Sequence, residues 1–322
     1  MMQPIFLKPV LQDKIWGGRK LYTHFGLELP SQTIGEAWSI SAHPNGVSEV
    51  ISPAEFAGIG LDELYQTHPE LFCDYTEERF PLLTKILDAN QNLSVQVHPD
   101  DSYALEHEGE LGKTECWYII SADPGSKIIY GHNAQTPEEF AAMVEEGRWD
   151  ELLREVPVKD GDFFYVPHGT IHAIGSGIVI LETQQNSDTT YRVYDYGRKD
   201  ASGQERDLHI QPSLDVTQFP HQDPQINITE ETQDGGKIVH YLTNEYFSVY
   251  KWDLKKALTV ELTKPYYLAT VITGEGEMEV DGQIYPLKLA DSFILPAGIQ
   301  SITLKGDLEI IVSNPETKVE TV

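Results

Sequence analysis

The sequence predicts a mainly β protein: two jelly-roll barrels with a small helical segment. Three observations carry this expectation. Short runs rich in Val, Ile, Tyr and Phe recur along the chain, bounded by Gly, Pro, Asp and Asn, as strands separated by turns would be. Segments with helical periodicity are few. A weak repeat relates the two halves: Gly161, Pro167, Gly169 and His172 mark a turn, and Pro296, Gly298 and Ser301 take the last three places of that pattern. Many short strands at regular spacing suit a barrel or sandwich.

Strands are expected over 93–97, 114–121, 162–166 and 178–182 in the first half. In the second half they are expected over 247–254, 268–273, 276–280, 292–295 and 308–312. Gly274-Glu275-Gly276 reads as the turn joining two of these. The clearest helical stretch is 137–155: Thr136 can cap it, Pro137 suits its first position and Glu139 completes a capping box. Gly147 splits it, and the second part starts near Trp149. Shorter helices are expected over 61–68, ended by Pro69, and over 102–107. The polar segment after His209 carries Pro212, Pro220 and Pro224 with little periodicity. The division is therefore 1–210, a metal-binding domain; 211–235, a linker; and 236–322, a second barrel. No histidine follows His240 and Ser301 stands in the histidine place, so the second barrel is expected to hold no metal.

Composition narrows the partners. The 322 residues include 51 acidic and 23 basic side chains, for a net charge of −28. Nucleic acid and anionic membranes select basic surfaces and are not expected as partners. A small anion remains possible where a few cations cluster. The two cysteines, Cys73 and Cys116, form no CxxC motif, which suggests a reducing compartment. The N-terminus has no basic stretch followed by an apolar one, and no apolar run approaches the roughly 18 residues of a membrane span. The expectation is a cytoplasmic protein, monomeric or weakly homo-oligomeric.

The chemistry concentrates in 94–115 and at His172. Gln96 and His98 are two residues apart in a β-branched run, so a strand puts both on one face. Glu115 and His172 lie in or beside other strand-like runs. Alone, each has an ordinary reading: a satisfied core histidine, an exposed strand glutamate, a loop histidine. Together, two imidazoles, a carboxylate and an amide oxygen make a divalent-metal site, with Zn²⁺ preferred and Mn²⁺ or Fe²⁺ open. Cys116 points opposite to Glu115 and is expected to be a buried apolar residue. With Arg192 added, the array points to metal-dependent chemistry on a small anion.

The motifs Ile15-Trp16-Gly17-Gly18, Gly35-Glu36-Ala37-Trp38, Phe80-Pro81-Leu82-Leu83-Thr84-Lys85, 94–101, 112–117, 161–172 and Ser187-Asp188-Thr189-Thr190-Tyr191-Arg192 occur in one order. In this the chain resembles the cupin superfamily and, more closely, the short bacterial branch of the type I mannose-6-phosphate isomerases. The resemblance implies a zinc-dependent interconversion of mannose 6-phosphate and fructose 6-phosphate. It also implies Gln96, His98, Glu115 and His172 as ligands and Arg192 as catalytic. Some members carry a histidine where this chain has Gly112, so an acid–base role there does not carry over.

Aldose–ketose isomerisation moves a proton between adjacent carbons through an enediolate. A metal can polarise the carbonyl, and a nearby arginine can stabilise the charge. Ser94, Lys85, Lys113 and Trp16 are the candidates for holding the substrate, and Lys113 is also a candidate for catalysis. Glu182 or a metal-bound hydroxide is the base; the sequence leaves both open. Another cupin sugar-phosphate isomerase, a cupin oxygenase and a non-catalytic sugar-phosphate sensor are the alternatives.

Overall fold

The computed structural model describes residues 2–74, 78–200 and 202–316. Strands dominate, and the named strand pairings are all antiparallel. A six-stranded sheet runs in the spatial order Phe163–Val166, Glu115–Ala122, Ile178–Gln185, Leu82–Ala89, Ile34–Ile40, Val10–Gly18. A five-stranded sheet runs Leu153–Pro157, Lys127–His132, His172–Ile174, Val95–Val97, Tyr191–Tyr194.

These two sheets close on one core. Trp117, Ile119, Leu87, Ile178 and Ile180 from the first pack with Ile128, Tyr130 and Ile174 from the second. Because side chains alternate along a strand, the polar residues at the same parity also point inward. Gln96 lies between the outward Val95 and Val97, and Arg192 between the outward Tyr191 and Val193. The outer face of the five-stranded sheet is covered by Phe140 and Met143 of the helix Pro137–Glu145 and by residues of the helix Ile210–Val216.

A ten-stranded sheet contains the second-half strands and encloses its own core of Trp252, Tyr267, Met278, Phe293, Leu304 and Leu308. Two strands from the N-terminal region, Ile5–Lys8 and Glu49–Ser52, extend it. The opposite face of the six-stranded sheet, with Cys116, Tyr118 and Leu181, packs on Tyr241, Phe247, Tyr266 and Leu268. Thus Cys116 is buried and apolar in its contacts, and both cysteines are free thiols. Among the described residues no helix is long and apolar enough to cross a membrane.

Three local expectations need correction. The stretch 137–155 is not helical to its end: helices span Pro137–Glu145 and Trp149–Leu152, and Leu153–Pro157 is a strand paired with Lys127–His132. The cap at Thr136 accepts from Glu139 N at 3.2 Å, but the Glu139 carboxylate reaches back to Gln135 N at 2.6 Å rather than to Thr136. Gly274-Glu275-Gly276 makes no turn. One strand runs unbroken over Tyr267–Val280 against Ser301–Pro315. The glycines serve close approach instead: Gly274 has φ +82°, and a Cβ there would sit 1.9 Å from the Asp307 carbonyl oxygen. The polar stretch after His209 also carries more structure than a plain linker, with the helix Ile210–Val216 and the edge strand Thr229–Gln233.

Candidate metal centre and active-site pocket

The register brings the predicted ligands together. His172 lies opposite Gln96 on adjacent strands, and Arg192 opposite Gln96 on its other side. Glu115 opens its strand in the facing sheet. His98, Glu115 and His172 are fully buried, and one ligand atom from each lies within 4.8 Å of the others. His98 Nε2 is 3.4 Å from Glu115 Oε2, and His172 Nε2 is 3.4 Å from Glu115 Oε1. Gln96 approaches the same point through its amide nitrogen, Nε2, 3.4 Å from His172 Nε2, so an exchange of amide N and O would present its oxygen there. Bonds of about 2.1 Å around a tetrahedral ion put neighbouring donor atoms about 3.4 Å apart.

The surroundings orient these donors. His98 Nδ1 donates to the Thr189 carbonyl at 2.9 Å, and His172 Nδ1 to the Thr170 carbonyl at 2.8 Å. Each ring therefore turns an Nε2 lone pair inward, which is the usual way a ligating histidine is fixed. Burial, then the Lys113 charge, pushes His98 down to about 3, and burial also lowers His172, so both rings are neutral. Burial alone would raise Glu115, but the Lys113 charge beside it outweighs that and holds the carboxyl below its usual value. His98 Nε2 and Glu115 Oε2 are buried with no hydrogen-bond partner. Such orphaned polar atoms are costly unless something binds them, and a divalent cation between two lone pairs and a carboxylate satisfies all three. The residues present fit the metal.

A cavity of about 280 Å³ opens beside these donors, at the lower end of small-molecule sites. Gln96, Ser94, Lys85, Lys113, Glu182, Arg192 and Trp16 line it, so each remaining predicted site residue faces the same space. Lys85 and Lys113 are buried, not surface charges. Lys113 Nζ is 3.6 Å from Glu115 Oε2, and Lys85 Nζ is 3.4 Å from Glu182 Oε1. The Trp117 indole N–H lies 3.0 Å from both Glu115 Oε1 and Glu182 Oε2. Burial, then repulsion from Glu115, pushes the Glu182 carboxyl up to about 7 against the pull of Lys85 and Lys113. Arg192 Nη1 donates to the Asp207 carbonyl at 2.9 Å, while its Nε is buried without a partner.

Sequence reasoning missed four charged members of the pocket: Lys14, Glu36, Asp188 and Arg206. Glu36 is buried between Lys14 at 3.5 Å and Lys85 at 3.9 Å. Burial would raise Asp188, but Lys85, Lys113 and Lys14 hold it below its usual value. Arg206 is held by two bonds to the buried Asp195, at 2.8 and 2.6 Å. Glu36 and Asp188 stood inside quoted motifs without a role; Arg206 had no signal of its own.

Comparison with known proteins agrees with this geometry. Residues 5–120 match the family described as phosphomannose isomerase type I, catalytic domain, and residues 237–315 match mannose-6-phosphate isomerase, cupin domain. The mannose-6-phosphate isomerase of Streptococcus mutans is 53% identical over 98% of this chain and 99% of its own length. The chain belongs to the type I phosphomannose isomerases. Mannose-6-phosphate isomerase ManA of Bacillus subtilis is 51% identical over 97% of this chain and 99% of that relative. A crystal structure of the mannose 6-phosphate isomerase from Bacillus subtilis superposes with a TM-score of 0.95, at 46% identity over 97% of this chain and all of that one. A Salmonella typhimurium phosphomannose isomerase, at 16% identity and a TM-score of 0.78 over 98% of this chain and all of that one, shares the fold. The mainly β, cupin-type architecture is thus that of the isomerase family.

Proposed function

We propose that this chain interconverts mannose 6-phosphate and fructose 6-phosphate, as a metal-dependent aldose–ketose isomerase working through a cis-enediol(ate). One observation carries the reading: orphaned His98 Nε2 and Glu115 Oε2 border a pocket that also presents Glu182, Lys113 and Arg192. Relatives matched end to end carry the name mannose-6-phosphate isomerase, which favours this reading over the oxygenase and the sensor.

Gln96, His98, Glu115 and His172 would hold one divalent ion, Zn²⁺ by the donor set, whose chemistry is to polarise a carbonyl and stabilise negative charge. The chain's own residues do the rest. Glu182, with its proton affinity raised by burial, is placed to take the proton from one sugar carbon and return it to the next. Lys85 at 3.4 Å holds its carboxylate in place. Arg192 directs its unpartnered Nε–H at the enediolate oxygen as charge develops there. Lys113 balances Glu115 and adds positive charge on the substrate side. Ser94, Lys85 and Trp16 shape the space for the sugar phosphate. Trp16 and Trp117 wall off water, which strengthens each of these interactions.

In this reading residues 1–210 do the chemistry, 211–235 connect, and the segment from 236 forms a metal-free second barrel, its last six positions, 317–322, lying outside the described residues. A net charge of −28 argues against nucleic acid and anionic membranes as partners, while Lys85, Lys113 and Arg192 clustered in the cavity suit a small sugar phosphate; we read the chain as a cytoplasmic monomer or weak homo-oligomer. The test is a coupled isomerase assay on mannose 6-phosphate before and after chelation. Loss of turnover on chelation and its return with Zn²⁺ support the proposal; no turnover by the Zn²⁺-loaded protein overturns it.

A further inference from the structure

Glu110 is neither in the pocket nor in the proposed ligand set, yet it accepts four hydrogen bonds beside them. Its Oε2 accepts from Thr189 Oγ1 at 2.8 Å, Asp188 N at 3.2 Å and Ser187 Oγ at 3.3 Å. Its Oε1 lies 3.1 Å from Nε2 of the buried His43. Asn45 N donates to His43 Nδ1 at 3.1 Å, so the Nε2 of that ring is the donor to Glu110. Four donors from two separate segments thus converge on one side chain.

What they hold is the turn between the strands Ile178–Gln185 and Tyr191–Tyr194. This turn has no ladder of its own, and it supplies the site from three positions. The Thr189 carbonyl accepts from His98 Nδ1 at 2.9 Å and so sets the ring whose Nε2 faces Glu115. Asp188 and Thr190 line the cavity. Asn45 Nδ2 reaches Asp188 Oδ2 at 3.0 Å, adding a second tie to the His43 loop. Glu110 also stands three residues before Lys113 and five before Glu115. One carboxylate therefore links the approach to the Glu115 strand with the turn that aims His98.

We infer that Glu110 is a positioning residue: by clamping Ser187, Asp188 and Thr189 it holds the Thr189 carbonyl against His98 and so presets the metal site. The inference rests on the metal-dependent reading above. Groups that orient a ligating histidine typically change metal affinity by about 10–100-fold when lost. A glutamine at 110 keeps the shape but replaces one acceptor oxygen by an N–H₂ donor. It cannot face both the His43 N–H and the three donors of the turn as an acceptor.

The test measures Zn²⁺ affinity by competition with a chelator, using Zn²⁺ alone, together with melting of the metal-free protein and steady-state kinetics. Glu110→Gln should weaken Zn²⁺ binding at least tenfold and lower kcat, with KM changed less than threefold. Thr189→Val, which removes the hydroxyl but keeps the carbonyl, should give a smaller loss in the same direction. The double variant should lose less than the product of the two. Glu108→Gln, whose partner is Tyr191 Oη at 2.9 Å, should leave Zn²⁺ affinity within twofold. Zn²⁺ affinity and kcat within twofold of the parent in Glu110→Gln overturn the inference. If that variant does not fold, unchanged Zn²⁺ affinity in Thr189→Val overturns it instead. The Zn²⁺ arm uses no sugar, so failure of the isomerase reading would show only in the kinetics of the parent protein.

Discussion

Removing the Arg192 guanidinium separates chemistry from binding. In Arg192→Ala the chain loses a half-buried cation whose Nη1 bonds the Asp207 carbonyl and whose Nε has no partner. The fold loses little. One side-chain bond is worth about 1 kcal/mol. Burial, then repulsion from Arg206, already lowers the Arg192 pKa, so relief of that strain offsets part of the loss. The backbone N–H keeps its bond to His209 Nδ1 at 3.0 Å. Catalysis loses more, because a donor aimed at a developing oxyanion is worth about 10²–10³ in kcat, or about 2.7–4 kcal/mol. The variant should therefore bind metal, melt close to the parent and turn over mannose 6-phosphate at least about a hundredfold more slowly. Arg192→Lys should recover only part, since an ammonium does not reproduce the planar fork. The assay is coupled isomerase kinetics with metal content and thermal melting on the same sample. A near-normal kcat with a raised KM would assign Arg192 to the phosphate and refute the electrophilic role.

Other consequences can be measured directly. Glu182→Gln should lower kcat by about 10²–10⁴ without loss of metal. A carboxyl raised to about 7 is protonated below that pH and useless as a base there, so the parent's kcat should fall on the acid side. Bound metal offsets Glu115 and moves that midpoint down; an acid limb retained unchanged in Glu182→Gln contradicts the role. Lys85→Met leaves the buried Glu182 without its ion-pair partner, and Glu36 with Lys14 alone, and should cost about 3–5 kcal/mol in denaturant unfolding at pH 7; a cost under about 1 kcal/mol refutes the Lys85–Glu182 pairing. Gly274→Ala should destabilise by at least about 1 kcal/mol, since φ is +82° and the new Cβ meets the Asp307 carbonyl, while Zn²⁺ affinity stays unchanged.

The site was legible where chemistry coincided with strand parity. Gln96 within Val95–Val97, and Glu115 opposite in sense to the apolar Cys116, needed only the alternation of a strand to be placed, and His98 follows just past the end of the first strand. Glu36 and Arg206 reach the same cavity from segments 170 residues apart, and sequence spacing carries no record of such convergence. Glu110 looked like one acid among 51, and only the fold shows four donors meeting on it. The misread local structure has a common cause. Trp149, Leu152 and Leu153 continue a helical pattern, but pairing with Lys127–His132 captures the chain from Leu153 onward. Gly274 and Gly276 carry turn chemistry, but a long partner strand makes them points of close approach. In both places tertiary pairing overrode local preference.

The central claim is that one divalent ion, held by Gln96, His98, Glu115 and His172, is required for isomerisation. Its most direct test is a titration of metal-stripped protein with Zn²⁺, following bound metal and mannose 6-phosphate turnover together. The account predicts that activity rises in proportion to bound Zn²⁺ and saturates at one ion per chain, and that His98→Ala neither binds the ion tightly nor turns over substrate. Full activity from the stripped protein, or from His98→Ala without metal, would contradict it.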